Sequence, residues 1–400
     1  MKAPKGYKFS GISSGIKKKG LDLGLIFFEK PMLCVAAFTK NLLKSNSIII
    51  SQKHLKESSN KVRCIIVNSG CANTACGKNG LKDTEEICNQ LAKKLKINSE
   101  EVLIASTGVI GEPLPKNKII FNLSNLISGL SSDKNSIINF ATAIMTTDTR
   151  YKVVYKEVKV KNKKKTLLCI AKGSGMIAPQ LELYKPSATM LVFLLTDIAF
   201  SRSQMSQIMY KIIIPHFNSF SIDGDTSPND TIFFVSNNCL GDKLNKKELN
   251  MIEEYIENIC KEMILKLLFD GEGVTKVIKI VIKNCNVKEA KIISNTVANS
   301  LLVKTAFYGG DPNWGRILSA CGRSGVNFRI DKVNIWIGRY QVVKNGNSNF
   351  ISDEDVSKEM KKNYYEVIID LGKNKNSDPF VFYTTDLSTK YVEINSMYKT

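Results

Sequence analysis

The sequence is poor in histidine and has no long hydrophobic run. The only two histidines among the 400 residues, His54 and His216, argue against Ser-His-Asp or Cys-His catalysis and leave acid–base chemistry to other groups. No run approaches the roughly eighteen apolar residues of a transmembrane helix. Lys2, Lys5 and Lys8 precede no apolar segment typical of a secretory signal. We therefore expect a cytoplasmic protein that does not span a membrane.

The ten cysteines lack a disulfide or metal-binding framework. Cys71 and Cys76 have neither a second Cys-x-x-Cys pair nor nearby histidines, which a zinc site requires. Acidic residues at alternate positions of Asp223–Asp230 suggest a calcium loop, but Pro228 replaces the glycine and Phe234 the bidentate glutamate of an EF-hand. We expect reduced thiols, no metal and no other cofactor. We interpret Asp223–Asp230 as a structural turn or a wall of the active site.

Basic residues exceed acidic ones, giving a formal net charge of +20. Nucleic-acid-binding proteins concentrate such charge on one face or element. Here the lysines are spread along the chain, and the short runs at 17–19 and 163–165 are typical of loops. We therefore expect no nucleic-acid partner. With 43% hydrophobic and 24% charged residues, the composition is that of a folded protein large enough for two or three lobes.

Hydrophobic periodicity predicts an α/β fold. Buried strands are predicted at 62–67 and 102–105, and the amphipathic segment 81–95 between them is a helix, which makes one α/β unit. Further along the chain, the pattern predicts a hairpin over 153–170 turning at Asn162-Lys163, a buried strand at 189–195, a helix at 247–268 with Tyr255 in its apolar stripe, and a strand at 274–282.

A threonine between small and apolar residues, Ala188-Thr189-Met190-Leu191, follows the glycine-rich run Lys172–Met176. An internal threonine hydroxyl is a weak nucleophile, but cutting the preceding peptide bond places a free α-amine beside it as a base. This amine titrates at about pH 8, so part of it is neutral at neutral pH. Taken alone, Thr189 fits better a β-branched residue that opens a buried strand.

Polar loops where secondary-structure elements end are candidate parts of a site. Asn68–Asn73 follows the first predicted strand. Ser106–Gly111 follows the second and is able to aim a hydroxyl and an N–H at one point, as an oxyanion requires. Glu272 lies between two glycines that permit close approach of a backbone or a small ligand, although a solvated turn explains it equally. Tyr308–Arg316 is dense in turn formers around a tryptophan.

Together these segments resemble one family, the ornithine acetyltransferases, also called glutamate N-acetyltransferases, of arginine biosynthesis. The resemblance spans the whole chain, with the motifs in the family's order. They are Ala3–Tyr7, Gly15–Lys17, Asn68–Gly70, Ser106–Gly111, Thr147–Thr149, Lys172–Ile177, Ala188–Leu191, Asp223–Ser227, Gly271–Gly273, Gly309–Ile317 and Tyr391–Asn395. So many motifs in one order make the resemblance specific.

The resemblance implies an αββα four-layer sandwich in which the nucleophile opens a central strand. It implies self-cleavage between Ala188 and Thr189 into an α chain, 1–188, and a β chain, 189–400, which stay together as an α2β2 heterotetramer. Thr189 is then the nucleophile of both self-cleavage and acetyl transfer, and Thr107 and Gly108 form the oxyanion hole. The implied substrate contacts are Thr149, Lys172, Thr189, Glu272, Asn395 and Thr400.

The implied reaction is a ping-pong transfer of acetyl from N2-acetyl-L-ornithine through acetyl-Thr189 to L-glutamate. Lys172 and Glu272 supply the two charges that substrates with carboxylate and ammonium groups need. Whether acetyl-CoA also serves as a donor stays open, because no CoA-binding motif is evident. The alternatives are a self-processing aminopeptidase or amidase of the same architecture and a non-enzymatic assembly protein.

The chain departs from the family pattern at three places. Extra residues within Gln180–Ser187 stand immediately before the expected cut and raise the question whether cleavage is efficient. Tyr151 and Leu301 replace prolines that are usual in the family, and neither is a proposed catalytic group.

Overall fold

The computed structural model describes residues 1–183, 190–237, 244–374 and 377–397. Ala188, Thr189, Thr400 and the end of the Gln180–Ser187 segment lie outside these ranges. The chain forms two units. Unit 1 contains Met1–Asn218 and Asp225–Leu267, and unit 2 contains Ser219–Gly224 and the described residues from Leu268 onward.

Twelve α-helices lie in the described part of the chain. They are α1 (Asn46–Glu57), α2 (Gly77–Leu95), α3 (Lys116–Ser128), α4 (Lys134–Ala143), α5 (Arg202–Ile208), α6 (Ile214–Phe217), α7 (Lys246–Phe269), α8 (Val287–Ala298), α9 (Leu301–Gly309), α10 (Trp314–Gly322), α11 (Asp353–Met360) and α12 (Thr389–Met397).

Fifteen β-strands lie in the same described ranges. They are β1 (Tyr7–Ile12), β2 (Leu23–Thr39), β3 (Lys61–Cys71), β4 (Val102–Val109), β5 (Lys152–Val160), β6 (Lys163–Lys172), β7 (Leu181–Leu183), β8 (Leu191–Ala199), β9 (Thr231–Asn237), β10 (Val277–Lys283), β11 (Asn334–Ile337), β12 (Tyr340–Lys344), β13 (Asn347–Ser348), β14 (Tyr364–Asp370) and β15 (Phe380–Thr385).

The sheet of unit 1 has the strand order β4-β3-β2-β9-β8-β6-β5, and β1 and β7 also pair with β2. The 17 residues of β2 are enough to pair with β1 and β3 along the first half and with β7 and β9 along the second. The pairs β3–β4 and β8–β9 are parallel. Because parallel strands are usually covered on both faces, these four strands are rich in buried aliphatic residues.

One apolar core joins two sections of this sheet. It contains residues of β1 to β4 and residues of β6, β8 and β9. The Tyr7 hydroxyl on β1 donates to the Thr196 carbonyl of β8 at 2.8 Å and to the Val235 carbonyl of β9 at 3.1 Å, so the two sections face each other.

Helices cover the outer faces of both sections. Apolar residues of α2 and α3 pack on β2, β3 and β4. On the other side, Lys156 of β5 pairs with Glu262 of α7 at 3.3 Å. Unit 1 thus has the order helix, sheet, sheet, helix, and the four-layer α/β fold expected from the sequence is confirmed.

Unit 2 is a smaller mixed sheet with its own core. The strand order is β13-β12-β11-β14-β10-β15, in which β10 and β14 are parallel. Buried residues of α8, α9, α10 and α11 pack against this sheet. The loop predicted at Tyr308–Arg316 is shorter in the structure, because its ends belong to α9 and α10 and only residues 310–313 join the two helices. Gly310 ends α9 in the left-handed conformation that favours glycine.

Most predicted elements of secondary structure are confirmed. The strands at 62–67 and 102–105 and the helices at 81–95 and 247–268 correspond to β3, β4, α2 and α7. The predicted hairpin is β5–β6, but its turn lies at Lys161 and Asn162, one residue before the predicted position, and both residues have a positive φ. The strand predicted from 189 is described from Leu191 onward.

Several expectations were wrong. Most of the two loops predicted at Asn68–Asn73 and Ser106–Gly111 is strand, because β3 continues to Cys71 and β4 to Val109, where the two strands still pair. Residues 163–165 are not a loop but open β6, because the hairpin carries its pairing up to the turn. Tyr255 is 38% exposed, because it lies at the edge of the stripe that Ile252, Ile256 and Ile259 form. The strand predicted from 274 begins at Val277, since Val274 N–H donates to the Gly271 carbonyl at 3.1 Å in a turn.

We expect Phe140→Ala to lower the free energy of unfolding by about 3–5 kcal/mol, as for other buried phenylalanines. Phe140 is fully buried in α4 and meets Phe9 and Phe193 edge-on, with ring centroids 5.9 and 5.3 Å apart. Chemical denaturation measures the change. Phe121→Ala, at a side chain that is 82% exposed, is the control and should change stability little. Equal losses in both variants would contradict this packing.

Unit 2 buries one lysine almost completely. The Lys304 ammonium donates to the Thr385 carbonyl at 2.6 Å and to the Thr385 hydroxyl at 3.0 Å. Burial lowers the pKa of Lys304 to about 8, although Asp223 and Asp386 oppose the shift. Because burial of the charged form is unfavourable, Lys304 destabilises the fold while it is protonated.

This pKa predicts that stability rises with pH. Below about pH 8 Lys304 is protonated in both states, so the cost of its burial is fully present. Between pH 8 and its ordinary value of 10.5 the unfolded chain binds more protons, so the free energy of unfolding rises with pH, by up to about 3 kcal/mol. Denaturation at several pH values should show a smaller rise in Lys304→Met. Identical slopes for both proteins would refute this.

Candidate active site

The backbones of β3 and β4 approach unusually closely at two glycines. Gly70 and Gly108 are partners in the parallel register, and both have a positive φ, of 102° and 129°. A Cβ atom on Gly108 would lie 2.4 Å from the Gly70 carbonyl carbon and 2.7 Å from Cys71 N. Only glycine fits Gly108 without displacing the neighbouring strand.

Thr107 lies close to the start of β8, through its contact with Lys172. Its side-chain oxygen accepts a hydrogen bond of 3.1 Å from the ammonium of Lys172, the last residue of β6. Lys172 is the register partner of Leu191, the first residue of β8. The preceding residue, Met190, is buried, and its carbonyl accepts from Thr231 N–H at 2.7 Å. Thr107 and Lys172 therefore lie together beside the chain that immediately follows Thr189.

Asp148 is a buried carboxylate beside Lys172. It accepts from the Lys152 ammonium at 2.6 Å, from Gly173 N–H at 2.8 Å and from Thr146 N–H at 3.0 Å. Burial raises the pKa of Asp148, but the positive charges of Lys172 and Lys152 outweigh it and bring the pKa to about 2. Asp148 is thus ionised at neutral pH and fixes the loop that carries the exposed Thr149.

Asn229 holds the end of β4 in place. The amide donates to the Ala72 carbonyl at 2.6 Å and to the Ser106 carbonyl at 2.7 Å, and its oxygen accepts from the Thr74 hydroxyl at 2.9 Å. The Ser106 hydroxyl in turn donates to Asn68 Oδ1 at 2.6 Å. Asn229 belongs to the Asp223–Asp230 segment, so the predicted turn with hydrogen-bonding side chains lies against the residue before Thr107.

Within unit 2 the structure brings Glu272 and Asn395 together. The Asn395 amide donates to a Glu272 carboxylate oxygen at 2.9 Å, and Glu272 is buried. A Cβ atom on Gly273 would lie 2.4 Å from Tyr391 N in α12. The glycine after Glu272 therefore lets a backbone approach, as the sequence indicated, and this approach brings Asn395 to Glu272.

The predicted site residues that the structure describes thus form two groups, one in each unit, and the remaining predicted residues lie outside the described ranges. Thr107, Gly108, Lys172 and Thr149 lie in unit 1, and Glu272 and Asn395 in unit 2. Ala188, Thr189 and Thr400 lie outside the described ranges, so their roles stay predictions.

Within the described ranges, no cluster of His, Cys, Asp and Glu is arranged to hold a metal ion, and no helix is long and apolar enough to cross a membrane.

Sequence reasoning did not single out Asp148, Lys152 or Asn229. Asp148 was visible only as the neighbour of Thr149, and Asn229 only as part of a polar turn. The roles of Asp148 and Asn229 depend on contacts between distant parts of the chain, for which the sequence carries no local signal. His54 and His216 both bond to backbone carbonyls, those of Val102 and Ile212, at 2.8 Å.

Comparisons with known proteins identify the family. The profile of the ArgJ family matches residues 8–400. A Thermotoga neapolitana protein described as an arginine biosynthesis bifunctional protein is 35% identical over 408 residues, and 100% of each chain is covered. A Methanocaldococcus jannaschii protein described as a glutamate N-acetyltransferase is 37% identical over 410 residues, covering 100% of this chain and 98% of the other. The chain therefore belongs to the ArgJ family, and its resemblance to ornithine acetyltransferases is confirmed.

Two solved structures are similar to part of the chain. One is an arginine biosynthesis bifunctional protein of Bacillus halodurans, with 35% identity and a TM-score of 0.43, covering 45% of this chain and 92% of the other. The second is an ornithine acetyltransferase of Mycobacterium tuberculosis complexed with ornithine, with 33% identity and a TM-score of 0.41, covering 45% of this chain and 94% of the other.

We expect Asn229→Asp to lower the turnover number for acetyl transfer by about 100-fold, a typical cost of misplacing reacting groups. The substitution keeps the side-chain size but removes the donors to the Ala72 and Ser106 carbonyls. The KM should change much less, because the substitution does not touch Lys172. Steady-state kinetics measures both constants.

The matched control is Asn60→Asp. The buried Asn60 amide also donates to a backbone carbonyl, that of Cys34, at 3.0 Å, and Asn60 is not part of the Thr107 network. We expect this variant to lose stability but to keep the turnover number of its folded fraction. Equal loss of turnover in both variants would contradict a specific role of Asn229.

Proposed function

We propose that the chain transfers an acetyl group from N2-acetyl-L-ornithine to L-glutamate through an acetyl ester on Thr189. Relatives that match the whole chain are named as arginine biosynthesis proteins and as a glutamate N-acetyltransferase. The observation that carries the proposal is the meeting of Thr107 and Lys172 beside the start of β8. This arrangement supports an oxyanion site and a cation next to the residue that would be the nucleophile.

The first step is self-cleavage. The Thr189 hydroxyl attacks the Ala188 carbonyl, and the acyl group moves from nitrogen to oxygen as the peptide bond breaks. Water then hydrolyses the ester, which leaves a carboxylate on Ala188 and a free α-amine on Thr189. This amine serves as the base for the neighbouring hydroxyl. Cleavage thus divides the chain into an α chain, 1–188, and a β chain, 189–400.

Acetyl transfer then proceeds in two half-reactions. The Thr189 amine takes the hydroxyl proton while the oxygen attacks the acetyl carbonyl, and Thr107 and Gly108 stabilise the oxyanion. Collapse breaks the bond to nitrogen, and the proton passes to the leaving amine of ornithine. The amine of glutamate next attacks the ester and releases N-acetylglutamate, and the threonine hydroxyl recovers a proton.

The substrate contacts are part of the proposal. Lys172 suits a carboxylate and Glu272 an ammonium group, since charge-assisted hydrogen bonds are stronger than neutral ones. Thr149, Asn395 and Thr400 complete the set that the family resemblance implies. An assay of glutamate acetylation with acetyl-CoA in place of N-acetylornithine decides whether acetyl-CoA is a second donor.

The strand order of unit 1 supports continued association of the two chains. β2 and β6 precede residue 189, whereas β8 and β9 follow it, and the order β2-β9-β8-β6 interleaves the two sets. Cleavage would therefore leave a sheet whose central hydrogen bonds join the products. We propose that the two chains remain together as an α2β2 heterotetramer in the cytoplasm. Sedimentation of the purified protein tests this assembly.

We expect the purified protein to contain two chains, separated before Thr189, and Thr189→Ala to remain one 44.6 kDa chain without acetyl transfer. The alanine variant lacks the hydroxyl needed in both reactions. Intact mass spectrometry and an assay for N-acetylglutamate measure the two outcomes.

Thr189→Ser is the matched control, because it keeps a hydroxyl at the same position. We expect it to be cleaved and to retain activity. An uncleaved wild-type chain that still transfers acetyl groups would refute the amine as base. Hydrolysis of N-acetylornithine without transfer to glutamate would favour an amidase.

A further inference from the structure

The ammonium groups of Lys17 and Lys172 both donate hydrogen bonds to one short loop. The Lys17 ammonium donates to the Met145 carbonyl at 3.0 Å, and the Lys172 ammonium donates to the hydroxyl of the next residue, Thr146, at 2.9 Å. Both lysines belong to unit 1. Two like charges this close repel each other, and an anion between or beside them removes the repulsion.

Lys17 also lies beside the two glycines of the candidate oxyanion site. A Cβ atom on Gly70 would lie 2.9 Å from Lys17 Cγ, and Gly70 is the register partner of Gly108. The aliphatic stem of Lys17 therefore packs over the strand pair that carries Thr107. The backbone of Lys17 is fixed as well, because its N–H donates to Asp22 at 3.0 Å.

The nearby carboxylates do not bond to the Lys17 ammonium. Asp22 accepts from Lys17 N–H and from the backbone and hydroxyl of Ser14, the last two at 2.6 and 2.8 Å. Asp148 accepts from the Lys152 ammonium. Among the residues that the structure describes, the Lys17 ammonium donates one hydrogen bond, to the Met145 carbonyl, whereas an ammonium group has three donors. Burial lowers the pKa of Lys17, Asp22 and Asp148 oppose this, and Lys172 adds to the lowering.

We propose that Lys17 is a specificity-determining residue that binds the side-chain carboxylate of the acceptor glutamate. The inference rests on the proposed function, in which donor and acceptor use one site in turn. Both substrates carry an α-carboxylate. We assign this shared group to Lys172, because Lys172 hydrogen-bonds to Thr107 and therefore lies at the candidate oxyanion site. Only glutamate carries a second carboxylate. Lys17 supplies a second cation beside Lys172, whereas the Lys152 ammonium is paired with Asp148.

Measuring the two half-reactions separately distinguishes binding of the acceptor glutamate from a general effect on the enzyme. In the first, N-acetylornithine alone acetylates the enzyme and releases ornithine. In the second, glutamate or its neutral analogue glutamine removes the acetyl group. We expect Lys17→Met to raise the KM for glutamate about tenfold or more, the usual cost of losing a charge-assisted hydrogen bond. The rate of acetylation should stay unchanged, and the preference for glutamate over glutamine should fall by the same factor.

Two further variants complete the test. Lys18→Met removes the same charge from the exposed neighbour of Lys17 and should leave the KM for glutamate unchanged. Lys17→Arg keeps a cation and should restore most of the affinity. Unchanged acetylation in Lys17→Met also shows that this variant is folded.

The possible failures are distinguishable. Equal losses in both half-reactions, an unchanged preference for glutamate over glutamine, or the same effect in Lys18→Met would overturn the role of Lys17 alone. Failure of the unaltered protein to form an acetyl-enzyme from N-acetylornithine would overturn the proposed function, and the inference with it.

Discussion

The contact on which the site depends is the close approach of the β3 and β4 backbones at Gly70 and Gly108. No side chain fits at Gly108, and the positive φ of both residues is a conformation that other residues rarely adopt. The approach ends the regular pairing of the two strands and sets the position of Thr107. Asn229 holds one side of this strand end through two carbonyls, and Lys172 reaches Thr107 from β6. Changes at any of these residues act on the same few atoms.

One part of the buried charge is a fixed ion pair, and another part lies at the proposed substrate site. Asp148 and Lys152 form a buried pair, and such pairs contribute little net stability because desolvation offsets their attraction. Their effect here is local, because Asp148 also binds Gly173 N–H and Thr146 N–H. Thr146 then accepts a hydrogen bond from Lys172. The pair therefore positions the loop and the strand end that hold the cations of the proposed substrate site.

The sequence predicted what depends on local pattern. Hydrophobic periodicity located β3, β4, α2 and α7, and the ordered motifs identified the family. The paired glycines around Glu272 indicated a close backbone approach, which α12 provides. Lys17 and Asn229 were not predicted, because each acts through residues far away in sequence, as in the contacts of Asn229 with Ala72 and Ser106. Isolated lysines and asparagines occur throughout this lysine-rich chain, and only the fold distinguishes the ones that make these contacts.

The central claim is that acetyl resides on Thr189 between the two half-reactions. The most direct measurement is mass spectrometry of the protein after incubation with N-acetylornithine in the absence of glutamate. The account predicts one added acetyl group on the chain that begins at Thr189, and its disappearance when glutamate is added. Steady turnover without any acetylated chain, with the reaction quenched during turnover, would contradict it.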